Sequence, residues 1–128
     1  MPRFAILFHD HPEPHWDFFL EVGTSLRTWR LAALPAAGLT IAATPLANHR
    51  QEYLTYEGPV SGDRGSVERV AAGKYEVLMG PDTALKVALT FSEGMSQCGP
   101  SLFARLIEGD DDRTSDVQWQ FAAESVTP

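Results

Sequence analysis

Three of the chain's four histidines, His9, His11 and His15, lie within seven residues, and carboxylates are threaded among and after them at Asp10, Glu13, Asp17 and Glu21. Imidazole nitrogens beside carboxylate oxygens suit a borderline divalent cation such as Mn²⁺ or Zn²⁺. Along an extended chain, residues i and i+2 project to one face, so His15 and Asp17 point the same way. The stretch His11-Pro12-Glu13-Pro14 cannot continue a helix or a central strand, because proline fixes φ and lacks a donor. Read as a tight loop, it returns His9 to the side of His15 and Asp17. Three protein ligands leave coordination positions open, and such an ion polarises a phosphoryl oxygen and lowers the pKa of a bound water. The same spacing also fits solvent-facing histidines on a loop with Asp17 in an ordinary ion pair, and spacing alone does not choose between the two. His11 is out of phase with the other two histidines. Glu21 shares their parity but sits four residues beyond Asp17, where it supports neighbours or faces solvent. Trp16 and Phe18 have the opposite parity and are expected in the core.

The fourth histidine lies in Asn48-His49-Arg50-Gln51-Glu52-Tyr53. Read as a helical turn, this puts His49 and Tyr53 on one face at i and i+4. A histidine near a bound phosphate engages its oxygens or protonates a leaving group. The alternative is an exposed loop histidine and a half-buried tyrosine.

The elements that must position these groups read as strands. Short β-prone runs at 4–9, 16–22, 26–31, 39–46, 66–70, 74–79, 84–91, 102–108 and 117–122 are punctuated by Gly23, Gly73, Gly80-Pro81, Gly94 and Gly109. Many short strands at this spacing predict one all-β, mainly antiparallel domain over residues 1–128, a partly open β-barrel with at most a short helical turn. With 128 residues, 44% of them hydrophobic, the chain can bury a real core. No apolar run is long enough to span a bilayer. The first apolar run has no small-residue cleavage site after it and reads as a strand, not a signal peptide. The single cysteine, Cys98, excludes an internal disulfide and fits a reducing, cytoplasmic setting. The acidic run at 110–112 reads as a solvated turn, and 124–128 as a frayed tail. A net charge of −7 argues against broad, sequence-independent nucleic-acid binding, but not against contact with one strand end.

Arg3-Phe4-Ala5-Ile6-Leu7-Phe8-His9 followed by His15-Trp16-Asp17-Phe18-Phe19-Leu20-Glu21 resembles the opening of the 3′-phosphoesterase domain of bacterial DNA ligase D. His49-Arg50-Gln51-Glu52-Tyr53, then Tyr56-Glu57-Gly58, resembles that family's second block. Residues 25–29 fall where the family has a Lys-Ser-Trp segment, and residues 65–73 resemble a weaker third block. The likeness covers roughly the first 80 residues, with Trp119 matching near the end.

The resemblance implies a compact β-barrel binding a divalent metal, typically manganese, with zinc as the other option. It implies hydrolysis at 3′-phosphate or 3′-ribonucleotide ends of DNA in strand-break repair, by a divergent, stand-alone relative. His9, His15 and Asp17 match the metal ligands, His49 the histidine that engages the phosphate, and Tyr53 a tyrosine supporting it. The expected partners are a nucleic-acid 3′ end, on primer-template or nicked DNA, and ligase or end-joining repair proteins, with no membrane. Three family features are missing. An arginine that contacts the phosphate is Phe19 here, a second falls near Ile41, and a lysine has no counterpart in residues 32–38. Charge-assisted arginine–phosphate bonds contribute ~1.5–3 kcal/mol each. Arg3, Arg30, Arg50 and Arg64 are the candidates to replace them, Arg3 and Arg50 first. The alternative function is a non-catalytic module that keeps the barrel and binds an end or a repair partner.

Overall fold

Phe4 and Ile6 alternate with Ala5 and Leu7 along the first strand, and all four are fully buried. A strand apolar on both faces needs a core on each side. In the computed structural model, which describes residues 2–80, 85–94, 101–108 and 117–123, that is what surrounds it. The elements are β1 (Arg3–His9), β2 (His15–Val22), β3 (Ser25–Leu31), β4 (Thr40–Arg50), a 3₁₀ turn (Gln51–Leu54), β5 (Gly58–Pro59), β6 (Ser66–Met79), β7 (Lys86–Gly94), β8 (Ser101–Glu108) and β9 (Val117–Ala122). Antiparallel pairing runs β1-β2-β3-β4-β9-β8-β7-β6, and β6 pairs back onto β1. Eight strands therefore close into a barrel, with β5 as an extra strand on β6.

The all-β barrel matches expectation, but it is closed rather than partly open. Closure runs from Arg3↔Lys74 to His9↔Val67, and the shortest seam is the β4–β9 ladder from Thr40↔Gln120 to Ala43↔Val117. Gly73 was expected to divide two strands. Instead β6 runs through it. A Cβ at Gly73 would run into the Thr90 carbonyl and the Phe4 ring, and the β6–β7 register shifts between Ala72 and Gly73. The glycine admits a close backbone approach at a bulge, and so lets one long strand bend between two partners. The strand expected at 39–46 extends to Arg50, which moves the helical turn from 48–53 to Gln51–Leu54. Cys98, the acidic run at 110–112 and the tail at 124–128 lie outside the described residues.

Two apolar clusters follow from the alternation. The barrel interior holds Phe4, Ile6, Phe18, Leu20, Trp29, Ile41 and Trp119, among others. Phe18 and Trp29 meet the Trp119 ring edge-on, at 5.2 and 5.1 Å between centroids. The second cluster lies on the outer side of β1 and β2, where Ala5, Leu7, Phe19, Leu26 and Val67 pack with Leu54 of the 3₁₀ turn. Burying a large apolar side chain contributes roughly 1.5–3 kcal/mol. This outer cluster is therefore the main attraction holding residues 51–65 across the barrel wall. A polar clamp assists it. Glu21 accepts hydrogen bonds from the Arg3 backbone and guanidinium and from the Gln51 amide.

The Arg3 guanidinium beside Glu21 holds its carboxyl well below the usual carboxylate range, at about 2. A carboxyl with a depressed folded pKa adds stability above its unfolded pKa, and that stability fades as pH falls toward the folded value. Arg3 is half exposed, so solvent screening reduces the effect. Glu21→Gln is expected to lose about 1 kcal/mol at neutral pH. Its thermal midpoint should also fall less steeply than that of the wild type between pH 4.5 and about 2. Parallel melting curves over that window check this, and identical acid limbs would contradict it.

Candidate metal centre

β1 and β2 are antiparallel, and the loop between them places His9 directly opposite His15, with Leu7 opposite Asp17. His9, His15 and Asp17 therefore share the outer face of the wall, the face that carries Leu7 and Phe19. One ligand atom from each of the three lies within 4.8 Å of the others. His15 Nε2 stands 3.3 Å from Asp17 Oδ1, and His9 Nδ1 stands 3.7 Å from Asp17 Oδ2. His15 and Asp17 are each only 5% exposed.

The remaining ring nitrogens define what these atoms offer. His9 Nε2 donates to the Arg64 carbonyl at 2.8 Å, and His15 Nδ1 donates to the Glu13 carbonyl at 2.8 Å. A carbonyl only accepts, so each neutral ring presents its lone pair from the other nitrogen. Both lone pairs face the Asp17 carboxylate. His15 Nε2 and Asp17 Oδ1 are buried and have no hydrogen-bond partner. Buried acceptors aimed at one another are costly unless something positive lies between them. Two imidazoles oriented by backbone carbonyls, together with one carboxylate, are a donor set that fits Mn²⁺ or Zn²⁺. His11 is outside the set, its ring 6.5 Å from that of His9.

His49 is on the end of β4, not in a helical turn, and pairs with Leu26 of β3. Its ring nevertheless meets Tyr53, at 5.8 Å between centroids, because the chain turns directly after Arg50. His49 Nδ1 donates to the Ala47 carbonyl at 3.0 Å. A cavity of about 100 Å³ is lined by Leu7, His9, Asp17, Phe19, His49, Tyr53, Val60, Arg64 and Val67. His9, Asp17 and His49 thus face one small space from separate segments. Phe19, 1% exposed, lies on the site side as its parity requires, and its ring is 5.3 Å from that of His49.

The arginines are distributed differently from expectation. Arg3 sits at the far end of β1 from His9 and is held by Glu21 at 2.7 Å. Arg50 is exposed and pairs with Glu52 at 3.4 Å. Neither lines the cavity, whereas Arg64 does, with its guanidinium also donating to Ser61. Ile41 is inside the barrel, so no side chain there can replace an arginine at the site. Sequence reasoning missed the carbonyl partners and the role of Gly65. Gly65 has φ +74, and a Cβ there would strike the Asp10 carboxylate and His11. Asp10 accepts the Ser66 amide at 2.9 Å, a bond that holds its carboxyl below the usual range. Gly65 thereby lets the Arg64 carbonyl come up against His9. The only signal in the sequence was a glycine beside a strand.

Gly65→Ala is expected to weaken Mn²⁺ binding about 10- to 100-fold, because the carbonyl that orients His9 is displaced. The measure is the thermal shift of variant and wild type across a Mn²⁺ titration. Equal affinities in two folded proteins would contradict it.

No curated protein matches the chain. A family model described as the DNA Ligase D 3′-phosphoesterase domain matches residues 8–112 of the 128, a span that includes His9, His15, Asp17, His49 and Tyr53. The chain belongs to the DNA ligase D 3′-phosphoesterase domain family.

Proposed function

We propose that this chain is a divalent-metal-dependent phosphoesterase acting on 3′-phosphate or 3′-ribonucleotide ends of DNA during strand-break repair. The observation that carries the reading is the buried, unpartnered pair His15 Nε2 and Asp17 Oδ1, with His9 Nδ1 beside it, at the edge of a cavity that His49 also lines. His9, His15 and Asp17 would hold the ion, with Mn²⁺ the first choice and Zn²⁺ the second. A bound ion would supply Lewis-acid polarisation of the phosphoryl oxygens and activation of a water nucleophile.

The remaining steps belong to the chain's own residues. His49 keeps its Nδ1 proton on the Ala47 carbonyl, so Nε2 is the atom free to serve the substrate. Protonated there, it donates to a phosphate oxygen in the ground state and to the departing 3′ oxygen as the ester bond breaks. Phe19 and Tyr53 flank the His49 ring and fix its plane. Arg64, at the cavity rim, stands in for the family arginines that the resemblance places at Phe19 and near Ile41. Val60, Leu54 and Val67 keep the outer side of the site apolar, which strengthens every charge interaction inside it.

One observation favours a second reading. Phe19 donates no hydrogen bond and is packed among apolar side chains, as in a barrel that retains its ion and binds an end without cleaving it. The deciding assay is Mn²⁺-dependent release of phosphate from a 3′-phosphorylated primer strand. Wild type is expected to be active but weak, and His9→Ala and Asp17→Asn to be inactive while folded. Phe19→Arg should lower stability, because it puts a charge among apolar neighbours, and should raise the rate about tenfold by restoring one charge-assisted contact. A metal-loaded, folded wild type with no activity would replace the enzyme reading with the binding one.

A further inference from the structure

The cavity of about 100 Å³ between His9, Asp17 and His49 is smaller than the ~300–1,000 Å³ of ordinary ligand pockets. It has room for a terminal phosphate, and the nucleotide carrying that phosphate must lie outside. Two depressions border the site. One, of about 230 Å³, is lined by Glu52, Tyr53, Tyr56, Pro59, Val60 and Ser61 and has no cationic side chain. The other, of about 430 Å³, lies on the opposite side, where His15, Arg30, Ala42 and Thr44 are among its walls. It shares His15 with the metal-ligand candidates. Its alanines at 32, 42 and 43 leave the space open.

Arg30 is the cation of this groove. It is the cross-strand partner of Asp17 on β2 and of Thr44 on β4. Directly opposed residues in an antiparallel ladder project to the same face, roughly 5 Å apart at Cβ. Arg30 therefore rises from the wall beside the carboxylate that would hold the ion. It is exposed, and it makes no ion pair or hydrogen bond with the described residues. A guanidinium is a two-pronged donor matched to phosphate oxygens. In a chain of net charge −7, with Glu13 on the same groove, it is a place for one phosphate and not a track for a long duplex.

We propose that the groove beside His15 seats the nucleotide step next to the 3′ end, with Arg30 binding the internucleotide phosphate and so setting the register of the scissile ester at the metal-ligand candidates. This rests on the phosphoesterase reading above and adds a strand-binding residue that neither the missing family arginines nor the terminal-phosphate pocket provides.

Two substrates separate this role from a structural one: a 3′-phosphorylated oligonucleotide, and a nucleoside 3′-monophosphate, which has no internucleotide phosphate. With Mn²⁺ present, Arg30→Gln should raise KM for the oligonucleotide about tenfold with kcat unchanged, and leave both constants for the mononucleotide unaltered. Arg30→Lys should recover part of the loss. A KM that rises equally for both substrates, or for neither, overturns the assignment. If wild type hydrolyses neither substrate, the phosphoesterase reading fails, and the groove is judged by fluorescence anisotropy of a labelled 3′-phosphorylated oligonucleotide on the Mn²⁺-loaded protein. Arg30→Gln should then bind about tenfold more weakly, with a salt slope shallower by about 0.7. Equal affinity and equal slope overturn the proposal.

Discussion

The pairing of His9 with His15 across the β1–β2 ladder is the constraint on which the rest of the site depends. It brings two imidazole lone pairs against one carboxylate in a buried place, a combination that is unfavourable until a cation joins it. The barrel supplies the rigid wall on which this arrangement is held. Carbonyls of Glu13 and Arg64 then fix the two rings from opposite sides, one from the connecting loop and one from the segment before β6. A carbonyl from a distant segment ties the ligand geometry to the closure of the barrel, because β6 reaches His9 only through the β1–β6 ladder.

The candidate site sits on the outside of the barrel. The interior is filled with aromatic and aliphatic side chains and holds the wall still. The site becomes a cavity because residues 51–65 fold back over β1 and β2, anchored by Leu54 on the outer cluster and by Gln51 on Glu21. Phe19 belongs to both aspects, packing in the cluster that holds the cover and forming one wall of the pocket against His49. Phe19 therefore gives the cover an apolar anchor at the position where the resemblance expects a phosphate-binding arginine. Among the described residues, Arg64 lines this cavity and Arg30 lines the neighbouring groove that shares His15.

Strand parity made His9, His15 and Asp17 legible in the sequence, because a period of two fixes side-chain direction once a strand is recognised. The same rule placed Phe19 on the site side and Trp16 and Phe18 toward the core. Long-range closure was not legible, since no local pattern says that β6 returns to β1, and so the barrel was expected to be partly open. Gly73 was misread for a related reason. A glycine that admits a neighbouring carbonyl looks, in one dimension, like a glycine that ends a strand. His49 reached Tyr53 from the end of a strand instead of along a helix face, so the contact was anticipated by the wrong route. Sequence order does not show which arginines reach the site: ladder register sets Arg30 opposite Asp17 and puts Arg3 at the far end of β1 from His9, while Arg64 arrives on the segment before β6, where its carbonyl meets His9.

The central claim is that His9, His15 and Asp17 hold one ion. It is tested most directly by pulsed electron paramagnetic resonance of the Mn²⁺-loaded protein, which reads the ligand nitrogens on the metal. The account predicts two imidazole nitrogens on a single bound Mn²⁺, one of them lost in His9→Ala and the other in His15→Ala. A spectrum without nitrogen couplings, identical in wild type and both variants, would contradict it.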